Sequence, residues 1–303
     1  MTLDLHDVLG GYWSILPGGL ESVLDTASNL DLAAAIPRGS QSRALRPQHY
    51  GKSAIIAVRG PITQRSTWVT EILGGSSLSS LTLQVREALN DRDVENIVLD
   101  IHSPGGSVYG LQEFGETLYK ARSVKPIVAV ANSLAASAAY FIASQAHEVI
   151  SQPSADVGSV GVVMAHTDWS KFNAKHGRKV TYITAGQYKA EGNSDEPLSD
   201  EALAHFKARV NEYYDSFVQA VARGRGTTRA NVIDRFGKGR VFGAKAALAA
   251  GMVDRIDTLD NVVERLQSRK AASRKSPASQ RHAIAHTPGV NRARAEIRRL
   301  LLH

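Results

Sequence analysis

Residues 96–107 read Asn-Ile-Val-Leu-Asp-Ile-His-Ser-Pro-Gly-Gly-Ser, an apolar run that ends abruptly in a Pro-Gly-Gly turn. A short continuous apolar stretch bounded by such a turn predicts a strand buried on both faces, as in a parallel sheet. Similar runs lie on either side, Ala54-Ile-Ile-Ala-Val58 before it and Pro126-Ile-Val-Ala-Val130 after it. The intervening stretches Leu81–Asn90 and Tyr109–Arg122 carry helical periodicity. Strand alternating with helix predicts βαβ units and a largely parallel sheet, so the fold class is α/β. Further strands are predicted at Val149–Ser151 and Val180–Ile183, with a Gly/Val-rich segment, Val157–Met164, between them. Ser199 and Asp200 are good caps for a long helix to about Arg223 that stops at the Gly224-Arg-Gly226 breaker, and Thr228 can cap the next one.

Outside this body the chain changes character. Residues 1–50 hold Tyr12, Trp13 and a helical pattern from Leu20 to Leu32, followed by a polar stretch from Arg38 to His49. They are read as a helical arm and linker, leaving residues 51–267 as the main domain. From Ser268 onward nine basic residues face the single acid Glu296, more than the whole-chain net charge of +7. The body is therefore close to neutral. Residues 268–303 are expected to form a flexible basic tail ending in an amphipathic helix, Asn291–His303, and nucleic acid or another acidic partner is expected to meet only that tail.

Composition narrows the chemistry. With 43% hydrophobic and 21% charged residues the chain has a globular balance. The absence of cysteine excludes disulfides, thiolate metal sites and Cys–His catalysis, and no metal or cofactor is expected. The first residues lack the basic and apolar regions of a signal peptide, and the longest weakly polar run, Leu134–Ala146, is shorter than the roughly 20 residues of a membrane span. A cytoplasmic protein without a membrane span is the expectation.

Three stretches bear on reactivity. At the carboxyl end of the 96–101 strand, Gly105 and Gly106 lack Cβ atoms, so their amides can face a cleft and stabilise a developing oxyanion. After the next strand, Ser137 stands among Ala135, Ala136, Ala138 and Ala139 where strand passes into helix, an arrangement that also suits plain helix packing. Ser133 and Ser144 share the segment. A serine nucleophile needs a base. His102, His147 and His166 lie outside any glycine-flanked loop, whereas Lys189 follows a predicted strand, is bracketed by Gly186 and Gly192, and has Tyr188 beside it. A loop lysine is ordinarily a solvated charge.

Taken in order, five segments resemble the signal peptide peptidase A family, which includes prohead proteases of tailed phages. They are Ile101–Ser107, Ala135–Tyr140, Val157–Val162, Gly186–Ala190 and Gly239–Asp254. The resemblance implies a Clp-protease/crotonase-like fold and a serine endopeptidase with a Ser–Lys dyad. Ser137 is then the nucleophile, Lys189 the base and Ser159 the hydroxyl that orients the lysine. The oxyanion hole is assigned to the amides of Gly105, Gly106 and Ala138. Such a lysine must be neutral to act, which requires burial to lower its pKa from about 10.4 toward roughly 7–8. Alanine stands at 138 and 139 where the family often has glycine, and His102 where it often has asparagine.

The phage branch implies cleavage of scaffold, capsid or portal proteins in the host cytoplasm or prohead interior; members of the resembled family form rings, in some of which the lysine serves a neighbour's serine, so a homo-oligomer is expected, with the dyad either within one chain or shared. A soluble, degradative bacterial peptidase is the alternative within the family. A crotonase-like acyl-CoA enzyme and a non-catalytic scaffold-binding protein are alternatives from other classes. If the four alanines around Ser137 wall the cleft, it accepts small or medium apolar side chains.

Overall fold

The computed structural model describes residues 11–21, 23, 47–66 and 73–275, with side chains to residue 268. The expected helix over Leu20–Leu32 falls largely outside them, as does the terminal helix of the tail. In chain order the strands are β1 (Trp13–Ile15), β2 (Gln48–Tyr50), β3 (Ser53–Arg59), β4 (Ile62–Thr63), β5 (Ser76–Ser77), β6 (Asn96–Ser103), β7 (Gly105–Ser107), β8 (Ile127–Ala136), β9 (Glu148–Ser151), β10 (Asp156–Gly158), β11 (Val241–Gly243) and β12 (Arg255–Ile256). The helices are α1 (Leu78–Asn90), α2 (Leu111–Ala121), α3 (Ala138–Ser144), α4 (Ser170–Lys175), α5 (Asp200–Arg225), α6 (Arg229–Arg235), α7 (Ala244–Ala250) and α8 (Leu259–Lys275).

The main sheet runs β11-β10-β8-β6-β3-β2. β3, β6 and β8 pair in parallel, and β8 also pairs in parallel with β9 along its first half and with β10 along its second. β2 and β11 close the edges antiparallel. The centre is dry on both faces: Ile97, Val98, Leu99 and Ile101 of β6 are fully buried, each such side chain contributing on the order of 1.5–3 kcal/mol by burial. One face packs against α1, α2 and α3; on the other, Val98, Val128, Val130 and Ile150 meet Val262 of α8. α8 continues past residue 267 to Lys275.

Local chemistry sets the helix ends. Ser77, Ser199 and Thr228 each accept a hydrogen bond from an amide of the first turn of α1, α5 and α6. Of the two glycines expected to break α5, Gly226 does so in the left-handed conformation, φ 62°. Gly224 stays helical. A Cβ there would sit 2.1 Å from the Ser144 carbonyl oxygen, so its role is to let α5 lie against α3.

The strand expected at Val180–Ile183 is not formed. These residues have no ladder partner and Ile183 is 97% exposed. The edge of β10 that such a strand needs is taken by β11, from far downstream in the sequence. A second, small sheet, β1-β7-β4-β5, lies over the carboxyl ends of β6 and β8.

Candidate active site

β8 carries its chain directly into Ser137. β10 runs beside it in parallel, Gly158 opposite Ala136, so Ser137 and Ser159 follow as neighbours past the two strand ends. Both have positive φ, 56° and 55°. Ser137, with ψ −117°, has the backbone conformation of the first central residue of a type II′ turn, a position that favours glycine. Strain of this kind costs about 1–3 kcal/mol and is held only where surrounding bonds over-determine it. Here the Ser137 amide donates to the Gly158 carbonyl at 2.7 Å, the Ser137 carbonyl accepts from Phe141 N–H at 2.9 Å, and Ser159 N–H donates to the Arg240 carbonyl at 2.8 Å.

The alanines around Ser137 do not wall a cleft. Ala135, Ala136, Ala138 and Ala139 are all wholly buried, and three of them belong to the main core. They are small because the strand-to-helix turn is packed from beneath.

The glycine turn lies alongside. β7 approaches β4 so closely that a Cβ on Gly106 would meet the Ile62 carbonyl oxygen at 1.9 Å, and one on Gly105, φ 108°, would meet the Ser14 carbonyl oxygen at 2.2 Å and Ser137 Cβ at 3.0 Å. Gly105 N–H already donates to Ser103 Oγ at 3.1 Å, so it serves an oxyanion only by exchanging that bond. Gly106 stands opposite Ser14 in the β1–β7 register.

Ser14 is the residue that sequence reasoning missed. Its hydroxyl lies 2.7 Å from Ser137 Oγ and 3.0 Å from the Gly161 carbonyl, while Ser137 Oγ is 3.5 Å from that carbonyl. Each hydroxyl has one proton, and a carbonyl only accepts. The shorter pair of bonds therefore has Ser14 donating to Gly161 and Ser137 donating to Ser14. The signal was available: apolar Trp13 and Ile15 alternate around Ser14 ahead of Pro17-Gly18-Gly19, the pattern of a short strand before a turn.

Among the described residues no histidine bonds to Ser137. His102 Nδ1 lies 2.8 Å from Ser133 Oγ and 3.2 Å from the Asn132 carbonyl, at the bulge where β6 and β8 shift register. Behind that bulge, Asp100 is ion-paired with Arg59 and accepts from Asn132 Nδ2 at 3.0 Å. His147 Nδ1 accepts from Ile127 N–H at 3.1 Å, and burial followed by the nearby Arg122 charge lowers its pKa. His166 Nε2 lies 3.0 Å from the Asn193 carbonyl.

Lys189 is in an exposed turn within residues 163–192 and makes no bond to Ser137 or Ser159. The single chain thus assembles Ser137, Ser159, the glycine turn and Ser14, but leaves Lys189 in solvent. The 163–192 excursion also exposes Val163, Trp169, Phe172, Tyr182, Ile183 and Tyr188.

Sequence comparison places the chain among known peptidases. The chain belongs to peptidase family S49, whose profile matches residues 120–273, just over half of the 303 residues. Among its relatives is the capsid assembly protease C of Escherichia phage lambda, 28% identical over 72% of this chain and 50% of that protein. A putative signal peptide peptidase SppA of Enterococcus faecium is 26% identical over 62% of this chain and 54% of that protein. Protease 4 of Salmonella typhi is 29% identical over 70% of this chain and 34% of that protein. The chain spans about half, or less, of the length of these relatives. Among the described residues no helix is long and apolar enough to cross a membrane.

Proposed function

We propose that this chain is a serine endopeptidase of the Clp/crotonase type, in which Ser137 attacks the scissile carbonyl and Lys189 takes its proton. The observation that carries the reading is the strained conformation of Ser137, φ 56° and ψ −117°, at the carboxyl edge of the sheet. Attack by Ser137 Oγ on the peptide carbonyl forms a tetrahedral intermediate, which the amides of Gly106 and Ala138, with Gly105 if it releases Ser103, stabilise. The protonated lysine returns its proton to the leaving amine. Water then attacks the acyl-enzyme with the lysine again as base, and Ser159, beside Ser137, orients the amine.

The exposed position of Lys189 supports a shared site. A lysine base requires burial, and the isolated chain gives Lys189 none. The apolar side chains exposed on the same excursion form the kind of patch that is covered by a partner surface. A neighbouring copy in a homo-oligomeric ring provides both the cover and the serine. As substrate we infer the scaffold or capsid proteins of a phage head, supported by the lambda relative's name, a capsid assembly protease. A degradative role like that suggested by the name of the Enterococcus relative is the second reading.

The test uses purified full-length chain, short peptides and candidate head proteins. Ser137→Ala, Lys189→Ala and Lys189→Arg should each abolish hydrolysis with the fold retained, since a guanidinium does not deprotonate in a protein. Co-refolded mixtures of Ser137→Ala and Lys189→Ala subunits should recover part of the activity. Full activity in Lys189→Arg refutes the base. Mixed oligomers that stay inactive place the dyad within one chain.

A further inference from the structure

We infer that β1 is a built-in occupant of the peptide-binding groove: residues Tyr12–Leu16 lie where an extended substrate strand lies, and Ser14 accepts the hydrogen bond of the nucleophile's hydroxyl. This rests on the peptidase reading of Ser137.

The placement comes from bonds on both edges of the strand. On one side β1 runs antiparallel to the glycine turn, Trp13 opposite Ser107, Ser14 opposite Gly106 and Ile15 opposite Gly105. Val108 N–H donates to the Tyr12 carbonyl at 3.2 Å and Leu16 N–H to the Pro104 carbonyl at 2.9 Å. On the other side Trp13 exchanges two bonds with Val163, at 2.9 and 2.8 Å. An extended chain held by strand addition over a glycine turn, its central residue against a strained serine, is a peptide presented to a nucleophile.

The presentation is unproductive. Ser14 Oγ accepts a hydrogen bond from Ser137 Oγ at 2.7 Å, from the position that a base must occupy, and donates its own to the Gly161 carbonyl at 3.0 Å. Trp13 and Ile15 bury their side chains with Leu20 in a cluster of their own, apart from the main core. Beside Ser14 a narrow slot of about 10 Å³, barely one water, is lined by Val108, Leu111, Phe141, Val162 and Phe217 together with Gln112 and Tyr213. With β1 gone that slot joins the groove. The groove therefore takes an extended segment with a small residue such as serine over Ser137, and β1 excludes it until displaced.

The chain has no cysteine, so one engineered disulfide can lock the strand. Trp13 and Ser107 face each other at a position where the ladder bonds of Trp13 go to Val163 instead, the close-spaced pairing that suits a bridge. In full-length Trp13→Cys/Ser107→Cys, oxidation should lower kcat/KM for short peptides at least tenfold and reduction should restore it. In the opposite direction, Trp13→Asp/Ile15→Asp should expel β1 and raise kcat/KM at least tenfold over wild type. A fluorescein-labelled peptide of residues 11–17 should bind this variant and the reduced double-cysteine chain, but not the oxidised one. Peptide binding in that pattern with no hydrolysis by any form supports the groove and refutes the peptidase reading. Undiminished hydrolysis by the oxidised chain overturns the occupant while leaving the peptidase reading intact. Cleavage of the wild-type chain after Ser14, seen by intact mass, overturns the unproductive pose. Should the aspartate variant not fold, the disulfide pair alone decides.

Discussion

Replacing Ser137 with glycine and, separately, with alanine isolates the strain that the site stores. Both variants lose Ser137 Oγ and with it the 2.7 Å bond to Ser14, so that loss cancels in the comparison. What differs is the backbone. With φ 56° and ψ −117°, alanine keeps the strain of an L-residue in a glycine conformation, about 1–3 kcal/mol, whereas glycine removes it. Glycine in turn gives the unfolded chain more freedom, which costs about 0.4–1 kcal/mol. The balance favours Ser137→Gly by about 1 kcal/mol. At about 2–4 °C per kcal/mol for a domain of this size class, Ser137→Gly should melt about 2–4 °C above Ser137→Ala by calorimetry or circular dichroism. Ser144, the buried last residue of α3 and without a positive φ, is the control, again as a glycine–alanine pair so that its lost hydroxyl bonds cancel: there glycine should be the less stable by up to about 1 kcal/mol. If Ser137→Gly melts at or below Ser137→Ala while the Ser144 pair behaves as stated, the serine is not strained and the argument for a preorganised nucleophile fails.

Two further outcomes follow from the packing behind the site. Tyr140 is fully buried, its hydroxyl donates to the Met252 carbonyl at 2.9 Å, and burial pushes its pKa upward; Tyr140→Phe leaves that carbonyl unpaired and should cost about 1–3 kcal/mol in urea unfolding. Asp254 feels burial, which raises its pKa, but the bonds from Arg225 and Val149 N–H outweigh it and the net shift is downward. A depressed folded pKa gives stability that is present above the unfolded carboxylate value of about 4 and is lost as pH falls through the folded one. Asp254→Asn should therefore lower the melting temperature at pH 7 and flatten its fall below about pH 4. An unchanged acid limb would show that the Arg225 pair makes no such contribution.

The sheet was legible because the centre of β6 and the first half of β8 are buried on both faces, and a continuous apolar run of strand length between turn residues fits little besides a strand covered by two layers. The place of Ser137 at a strand-to-helix junction was legible for a related reason, since a serine among alanines there marks tight packing. The function of those alanines was not, because sequence does not distinguish a residue lining a cleft from one supporting it from below. Val180–Ile183 misled because strand propensity says nothing of whether a sheet edge is free, and β11 had taken it. β1 escaped because three residues give too short an alternation to stand out, and because its partners, Gly105–Ser107 and Val163, lie far along the chain.

On the proposed reading the two absent conditions for catalysis, an empty groove and a buried lysine, are linked by one residue. Val163 is bonded to Trp13 through both its N–H and its carbonyl, and it begins the exposed excursion that ends in the turn bearing Lys189. When β1 leaves, those two groups lose their partners and are left to water. A substrate strand entering the groove makes the same two bonds and so fixes the base-bearing segment from its first residue. The lysine's segment is then anchored when peptide is present, and tied to the chain's own strand when it is not. Hydrogen exchange of the Val163 amide reads this directly. It should be slow in the resting chain, fast in the Trp13→Asp/Ile15→Asp variant, and slow again when a peptide of residues 11–17 is added. A Val163 amide that exchanges at the same rate in all three states would show that the groove and the lysine segment are uncoupled.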